Sequence, residues 1–480
     1  MMASGAVLFQ AQVGINTTAP HASAALDIQY GANPKGLLAP RMTTAQRVAV
    51  TSPAESLLVF DTTEKAFYFY NTTTTSWIKL ANANDAAGKR TNYKLIKSAA
   101  DLSAELAAGG NSKYLLNANT YYEINGTITL AHPIELNNAY VSGLDANEDV
   151  LTRPGGTIFA GNTGGSIRNL TLSNSVQAFD ITGAGAGSLL VQNTIISGMT
   201  TSVGSVSGFA MYFANIVQFL SNKNGITYSN IGNLLLSNQG WFANNLGTYE
   251  TFTGTFGFIQ KNSGFSTVTG SAVAMDVSSN PTVPTGIIYG TVFSGSTTAA
   301  SGIIKRYGTG SYTGYSFTNN WSVDAPGIPR EGDSEATGDI NLDVEVGSIA
   351  ARTTFTNNNT KQKLEGTTQS FNSFRFVADG NNRIRYVGNK TRYFQVSASV
   401  SYQSTSDITI VLYIAKNGGP LTQTKVYGRG ATGFFSSSGI LALPIVGTVQ
   451  LAKNDYIEIW AERINGSGQM DTVSLNLTAK

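Results

Sequence analysis

Asn169-Leu170-Thr171-Leu172-Ser173 returns as Asn193-Thr194-Ile195-Ile196-Ser197 and again as Gln218-Phe219-Leu220-Ser221, so that three short β-prone runs close on serines 24 residues apart. Leu234-Leu235-Leu236-Ser237-Asn238 follows, with its serine 16 residues further on. Irregular repeats of about 20–25 residues broken by Gly and Asn suit the coils of a parallel β-helix. Each coil turns apolar side chains against its neighbours, and Gly or Asn takes φ > 0 at the corners. Equally frequent turns also suit a β-sandwich, so the helix is the first reading and the sandwich the second. The pattern runs through residues 113–325.

Composition narrows the chemistry. The chain has 480 residues with 51 Gly, 12 Pro, no Cys and two His, and 31 Lys+Arg stand against 29 Asp+Glu. Length allows several cores. A net charge of +2 gives no reason to expect nucleic acid or an anionic membrane as partner. Without Cys there is no disulfide, thiolate metal site or Cys nucleophile, and His21 and His132 are too few for a zinc site or a histidine-based triad. No run of about 18 apolar residues predicts membrane insertion. Met1 to Gln10 lacks Lys and Arg and holds only a short apolar run, so no signal peptide is expected. A chain of this style without one is truncated, exported by another route or released by lysis, and the last of these points towards a virus.

Outward from the repeats, five segments emerge. Residues 1–80 form a first block, 81–112 a linker and capping helix, 113–325 the shaft, 326–345 an acidic hinge and 346–480 a last domain. The helix is placed by Ser98 before Ala99–Ala108 and by Gly109-Gly110 after it. The hinge is read from Pro326, Pro329, Glu331, Asp333, Glu335, Asp339, Asp343 and Glu345. The last domain carries long alternating runs such as Arg392 to Val400, Ile408 to Ile414 and Tyr456 to Trp460.

Three resemblances attach to these segments. VGINTTAPHASAALDI (13–28), KGLLAPRMTTAQR (35–47), SPAESLLVFDTT (52–63) and FYFYNTTTTSWIKL (67–80) resemble a module of surface and phage-fibre proteins of Bacteroidetes and their viruses. That resemblance implies a virion-attachment role for residues 1–80. The helix with the strands Tyr121 to Asn125 and Thr127 to Leu130 resembles the entry of single-stranded parallel β-helices, shared by tail spikes and pectin-degrading enzymes. Tyr393-Phe394-x-Val396-x-Ala398, Tyr413 to Gly418, Leu451-x-x-Asn454 to Glu458 and Val473-x-Leu475-x-Leu477 resemble the jelly-roll head of the TNF/C1q-like superfamily, which implies a homotrimer with this head at its tip. The whole reads as mostly β: an elongated multidomain homotrimer with a parallel β-helix-like centre and a C-terminal jelly-roll head.

Candidate chemistry is sparse. Glycoside hydrolysis needs two carboxylates about 5–10 Å apart, and between 151 and 320 the only acids are Asp180, Glu250 and Asp276. They are the catalytic candidates if the chain is an enzyme; as solvated groups or turn caps they need no function. Asp145, Glu148 and Asp149 are a weak Ca²⁺ candidate without EF-hand spacing. His132 before Pro133 reads as structural. Gly183-Ala184-Gly185-Ala186-Gly187 lacks the Lys-Ser/Thr of a phosphate loop and reads as a turn, as does Gly308-Thr309-Gly310. No cofactor is expected. Trp241, Phe242 and Tyr249, and Tyr312, Tyr315, Phe317 and Trp321, sit among Gly, Asn, Ser and Thr, where aromatic faces beside amides suit sugar rings. Tyr427, Arg429, Phe434 and Phe435 mark loops of the head. The expected function is a structural virion fibre or spike that meets a host surface glycan or receptor and joins other virion proteins through residues 1–80. A tailspike depolymerase, a capsid-mounted head fibre and a bacterial surface adhesin are the alternatives.

Overall fold

Asn169 and Asn193 both adopt left-handed backbone, with φ of 51° and 49°, and the same conformation recurs at Ile216, Asn238 and Ser263. These five residues are one corner of a three-sided coil, stacked five deep: Arg168, Gln192, Asn215, Ser237 and Asn262 before them pair in a continuous parallel ladder. The computed structural model describes residues 12–30, 35–80, 91–430 and 439–480. It divides into Met1–Thr91 and Asn92–Lys480. The second unit begins with a parallel β-helix of about 8 turns, from Tyr93–Ile96 to Trp321–Asp324, in one sheet of 20 parallel-paired strands.

Three outward faces result. The first is read along the ladder Ala160, Asp180, Ser205, Thr227, Thr251, Asp276 and Lys305. The second follows Leu190, Phe213, Leu235, Gln260 and Ile287. The third follows Ile195, Gln218, Gly240, Phe265 and Val292. Alternate residues point inward and fill the bore with Leu172, Ile196, Phe219, Trp241 and their like. The true register corrects the serine alignment: Ser173 pairs with Ser197 but Ser197 pairs with Leu220, not Ser221. Leu234 to Ser237 lie on the second face, paired with Tyr212 to Asn215, and are no repeat of the third. The pattern is blurred because Ile216 stands where other coils carry Asn or Ser. A β-branched residue in left-handed backbone is an outlier that costs about 1–2 kcal/mol.

The shaft starts earlier than the linker reading allows. Tyr93–Ile96 already pairs with Tyr121–Ile124. A 3₁₀ turn Ala99–Leu102 and an α-helix Ser103–Ala108 cap the bore, opened by the Asp101 carboxylate accepting the Ser98 N–H at 2.8 Å and stopped at Gly109.

The segment read as a hinge is a packed junction. Val323 and Glu331 pair across it, and Glu331, 1% exposed, accepts the N–H groups of Ser316 and Phe317 at 2.7 and 3.0 Å. Arg375 of the following domain reaches back to Asp333 at 2.7 Å and to the carbonyls of Asn319 and Trp321. The acids that suggest a hinge are consumed in capping and pairing, Glu331 on two N–H groups and Asp333 on Arg375.

The C-terminal domain is built on eight strands: β1 Gly338–Asp343, β2 Ile384–Tyr386, β3 Arg392–Ser404, β4 Ile408–Lys416, β5 Val426–Gly430, β6 Leu441–Leu451, β7 Tyr456–Gly466 and β8 Met470–Ala479. β1 precedes residue 346, so the domain takes in the later part of the supposed hinge. One antiparallel sheet runs β1-β8-β3-β6 and the other β2-β7-β4-β5. Their facing sides bury Ile340, Val396, Val400, Leu412, Ile459 and Leu475. This strand order is a jelly roll.

In the first unit, Arg41–Met42 lies parallel to Leu58–Asp61, which continues antiparallel through Ala66–Asn71 to Ser76–Lys79. Thr43 and Gln46 cap the short helix Thr44–Val48 reciprocally. Arg47 leaves that helix to bind buried Asp61 at 2.9 Å and covers the Tyr68 ring at 3.8 Å. Burial works to raise the Asp61 carboxyl, but the Glu64 N–H, Arg47, the Thr44 hydroxyl and the Thr63 N–H hold it at about 2.

Candidate functional site

The aromatic residues singled out by sequence divide sharply on burial. Trp241 is 0% exposed and stacks on Tyr249 with ring centroids 4.5 Å apart. Trp321 is equally interior: its indole N–H donates to the Tyr307 hydroxyl at 3.1 Å, and Gly286 lacks a side chain where a Cβ would lie 2.2 Å from the indole. Tyr249 and Phe317 are also buried. These are core residues, so their nomination as ligand contacts is corrected. Gly and Asn around them mark corners of the coil, not exposure.

Tyr312 and Tyr315 behave differently. They lie in the loop after Tyr307 and close on Phe374 of the jelly-roll domain, Tyr315 stacked at 4.0 Å and Tyr312 edge-on at 5.1 Å. Burial pushes both phenols up; the Asn319 hydrogen bond and Arg375 oppose it at Tyr312, and Glu331 and Glu335 add to it at Tyr315. Beside them opens a cleft of about 560 Å³, whose other wall is the loop 370–373 and Phe376 to Ala378. Asp339 of β1 fixes that loop, accepting the Asn372 N–H at 2.8 Å and the Phe371 N–H and Ser370 hydroxyl at 3.3 Å. Phe371 is thereby held 68% exposed on an anchored loop. Ser311, Thr313, Ser370, Asn372 and Ser373 supply hydroxyls and an amide, and no charged side chain lines the cleft. A preset aromatic face among neutral donors and acceptors is the chemistry of a neutral sugar ring. Phe371 is not among the sequence candidates and Asp339 is named there only as a hinge acid; they stand 56 and 24 residues after Tyr315, and only the fold joins them to the cleft.

In the head, Tyr427 and Arg429 stand two apart on β5 and both are exposed. Arg429 lines a shallow pocket of about 280 Å³ with Asp407, Thr409 and Asn465. Phe434 and Phe435 lie outside the described residues.

The acids do not converge. Asp180 and Asp276 both face outward on the first face, four ladder steps apart, which at about 4.8 Å per step is roughly 19 Å. Asp276 pairs with Lys305 at 3.1 Å. Glu250 points into the bore, 0% exposed, and binds the equally buried Lys261 at 2.9 Å. The Ca²⁺ candidate is likewise corrected. Burial works to raise the Asp149 carboxyl, yet the N–H groups of Gly126, Asp145 and Leu144 outweigh it and occupy its oxygens, and Asp145 caps Asn147. Among the described residues no group of three or more His, Cys, Asp or Glu is placed to hold a metal. His132 lies edge-on to Tyr114. No described helix is long and apolar enough to cross a membrane.

Residues 14–93 match the family described as a phage tail like trimerisation region. No curated protein matches the chain. Among solved structures, murine APRIL at pH 8.5 is 11% identical with a TM-score of 0.18, covering 30% of this chain and 98% of that one. Murine APRIL at pH 5.0 is 13% identical with a TM-score of 0.19, covering 30% and 99%. The family match supports self-association as a homotrimer and a phage-fibre-like chain.

Proposed function

We propose that this chain is the subunit of a trimeric fibre or spike on the virion of a phage infecting Bacteroidetes, and that it attaches to neutral glycan on the host surface. The observation that carries the reading is the succession along one chain of a phage tail-like trimerisation region, a parallel β-helix and a jelly roll. The first unit joins other virion proteins, the jelly-roll head is distal, and the sugar is held in the cleft beside Tyr312, Tyr315 and Phe371. Three such clefts per trimer turn a weak contact into firm attachment, because the second and third bind at high effective concentration. Attachment without cutting is favoured over a depolymerase by the roughly 19 Å between Asp180 and Asp276, well beyond the separation of a hydrolytic pair.

The test is adsorption. Purified full-length protein should bind host cells and compete with the phage, and Phe371→Ala should weaken that binding at least tenfold, as loss of a stacked ring costs about 1.4 kcal/mol or more. Phe371 is exposed, so its removal leaves the fold intact. Unchanged cell binding by this variant would sink the cleft as the attachment site.

A further inference from the structure

We infer that the second and third faces of the β-helix, with the Ile216 corner between them, are the surfaces by which the shaft meets the other two copies of this chain. The inference rests on the trimeric reading and adds to it the residues in contact. A cyclic trimer buries two different patches on each subunit, because each copy meets its two neighbours through opposite halves of one heterologous interface. The β-helix offers two adjoining patches of the required character.

Apolar outward side chains set them apart. Across the strands Ser188–Ser197, Gly204–Leu220, Ile226–Trp241 and Thr248–Val268 the only ionisable acids and bases are Glu250 and Lys261, and those two are paired inside the bore. Every outward position of both faces in these coils is therefore uncharged. The second face carries half-buried Leu190, Met211, Phe213, Leu235 and Phe258. On the third, Gly240 leaves room for Phe265, which meets Phe242 edge-on at 5.0 Å and is followed on the ladder by exposed Val292, with half-buried Ile195 three coils earlier. In the same coils the first face turns out Ser205, Thr227 and Thr251, hydroxyl side chains where the other two faces carry apolar and aromatic ones, with Asp180 in the coil before and Asp276 and Lys305 in the coils after. Centres of subunit interfaces are depleted in charge and enriched in aromatic side chains in this way.

The corner adds a separate sign. Its neighbours in the stack are Asn193, Asn238 and Ser263, residues that accept left-handed backbone, yet Ile216 occupies the same conformation and remains 44% exposed. An apolar knob kept there against its backbone preference has a use if other copies cover it. The family-matched trimerisation region ends at Tyr93, the first residue of the first shaft strand.

The chain has no Cys, which makes introduced thiols unique. Full-length Ile216→Cys, treated with a short bis-maleimide, should give covalent dimers on denaturing gels, whereas Thr227→Cys on the first face should not. Asn238→Cys, on the same corner one coil away, repeats the measurement should Ile216→Cys fail to fold. Light scattering on the unmodified chain separates the two levels: a monomer overturns the trimeric reading itself. A trimer that crosslinks at neither corner position, or equally well at Thr227→Cys, overturns this assignment of faces alone.

Discussion

Lys261 and Glu250 show what a single pair decides inside a narrow bore. Their neighbours on the same inward ladders are Leu236 and Ile288 on one side, Ile226 and Met275 on the other, so neither charge has water to fall back on. Burial pushes the Glu250 carboxyl up, and the Lys261 ammonium works against that shift. Such a pair contributes little net stability compared with apolar side chains of the same size, but breaking it leaves one buried charge without compensation. Lys261→Met should therefore cost about 3–5 kcal/mol, while Lys261→Met combined with Glu250→Leu should fall close to the unmodified chain. Denaturant unfolding of the three proteins checks this. A double variant as unstable as the single one would show that the pair itself, not the orphaned carboxylate, carries the stability.

At the scale of the element, the β-helix is held by internal ladders as much as by its apolar fill. Asn222 and Asn245 occupy equivalent corners of successive coils, both buried: Asn222 accepts the Met199 N–H at 3.0 Å, and Asn245 accepts the Asn222 N–H at 2.9 Å and its side-chain amide at 3.0 Å. Asn222→Ala strips the Met199 N–H of its partner and should cost about 1–3 kcal/mol, read as a lowered unfolding midpoint. An unchanged midpoint would mean water replaces the amide. These corners also explain what the sequence could and could not disclose. Asn169 and Asn193 announce coils because Asn tolerates φ > 0, and from them the parallel β-helix is legible. Ile216 breaks that signal, so the register slips by one residue at Ser221. Tyr93–Ile96 escapes notice because four residues after a polar stretch carry too little periodicity to stand out. The head was legible in its long alternating strands, but β1 was hidden among acids. Of the cleft, Tyr312 and Tyr315 were legible as aromatics in polar surroundings. Its second wall depends on Asp339 organising residues 370–373, a contact across more than thirty positions that no local pattern encodes.

For the second unit as a whole, the junction between β-helix and jelly roll decides whether the cleft keeps its shape, and Glu331 makes that junction sensitive to pH. Burial lifts its carboxyl from the ordinary 4.5 to about 7, against the opposing pull of the Ser316 and Phe317 N–H groups and of Arg375. Below pH 4.5 the group is protonated whether the chain is folded or not, and it carries no penalty. Between 4.5 and 7 the unfolded chain has released the proton and the folded chain still holds it, so stability falls as pH rises. Above 7 the penalty levels off, on the order of 3 kcal/mol from the two values. The full-length protein should accordingly melt at higher temperature at pH 5 than at pH 8, and Glu331→Gln, which keeps the shape but cannot ionise, should flatten most of that difference. If Glu331→Gln melts with the same pH dependence as the unmodified chain, the carboxylate is already ionised at pH 5, and the two N–H groups outweigh its burial.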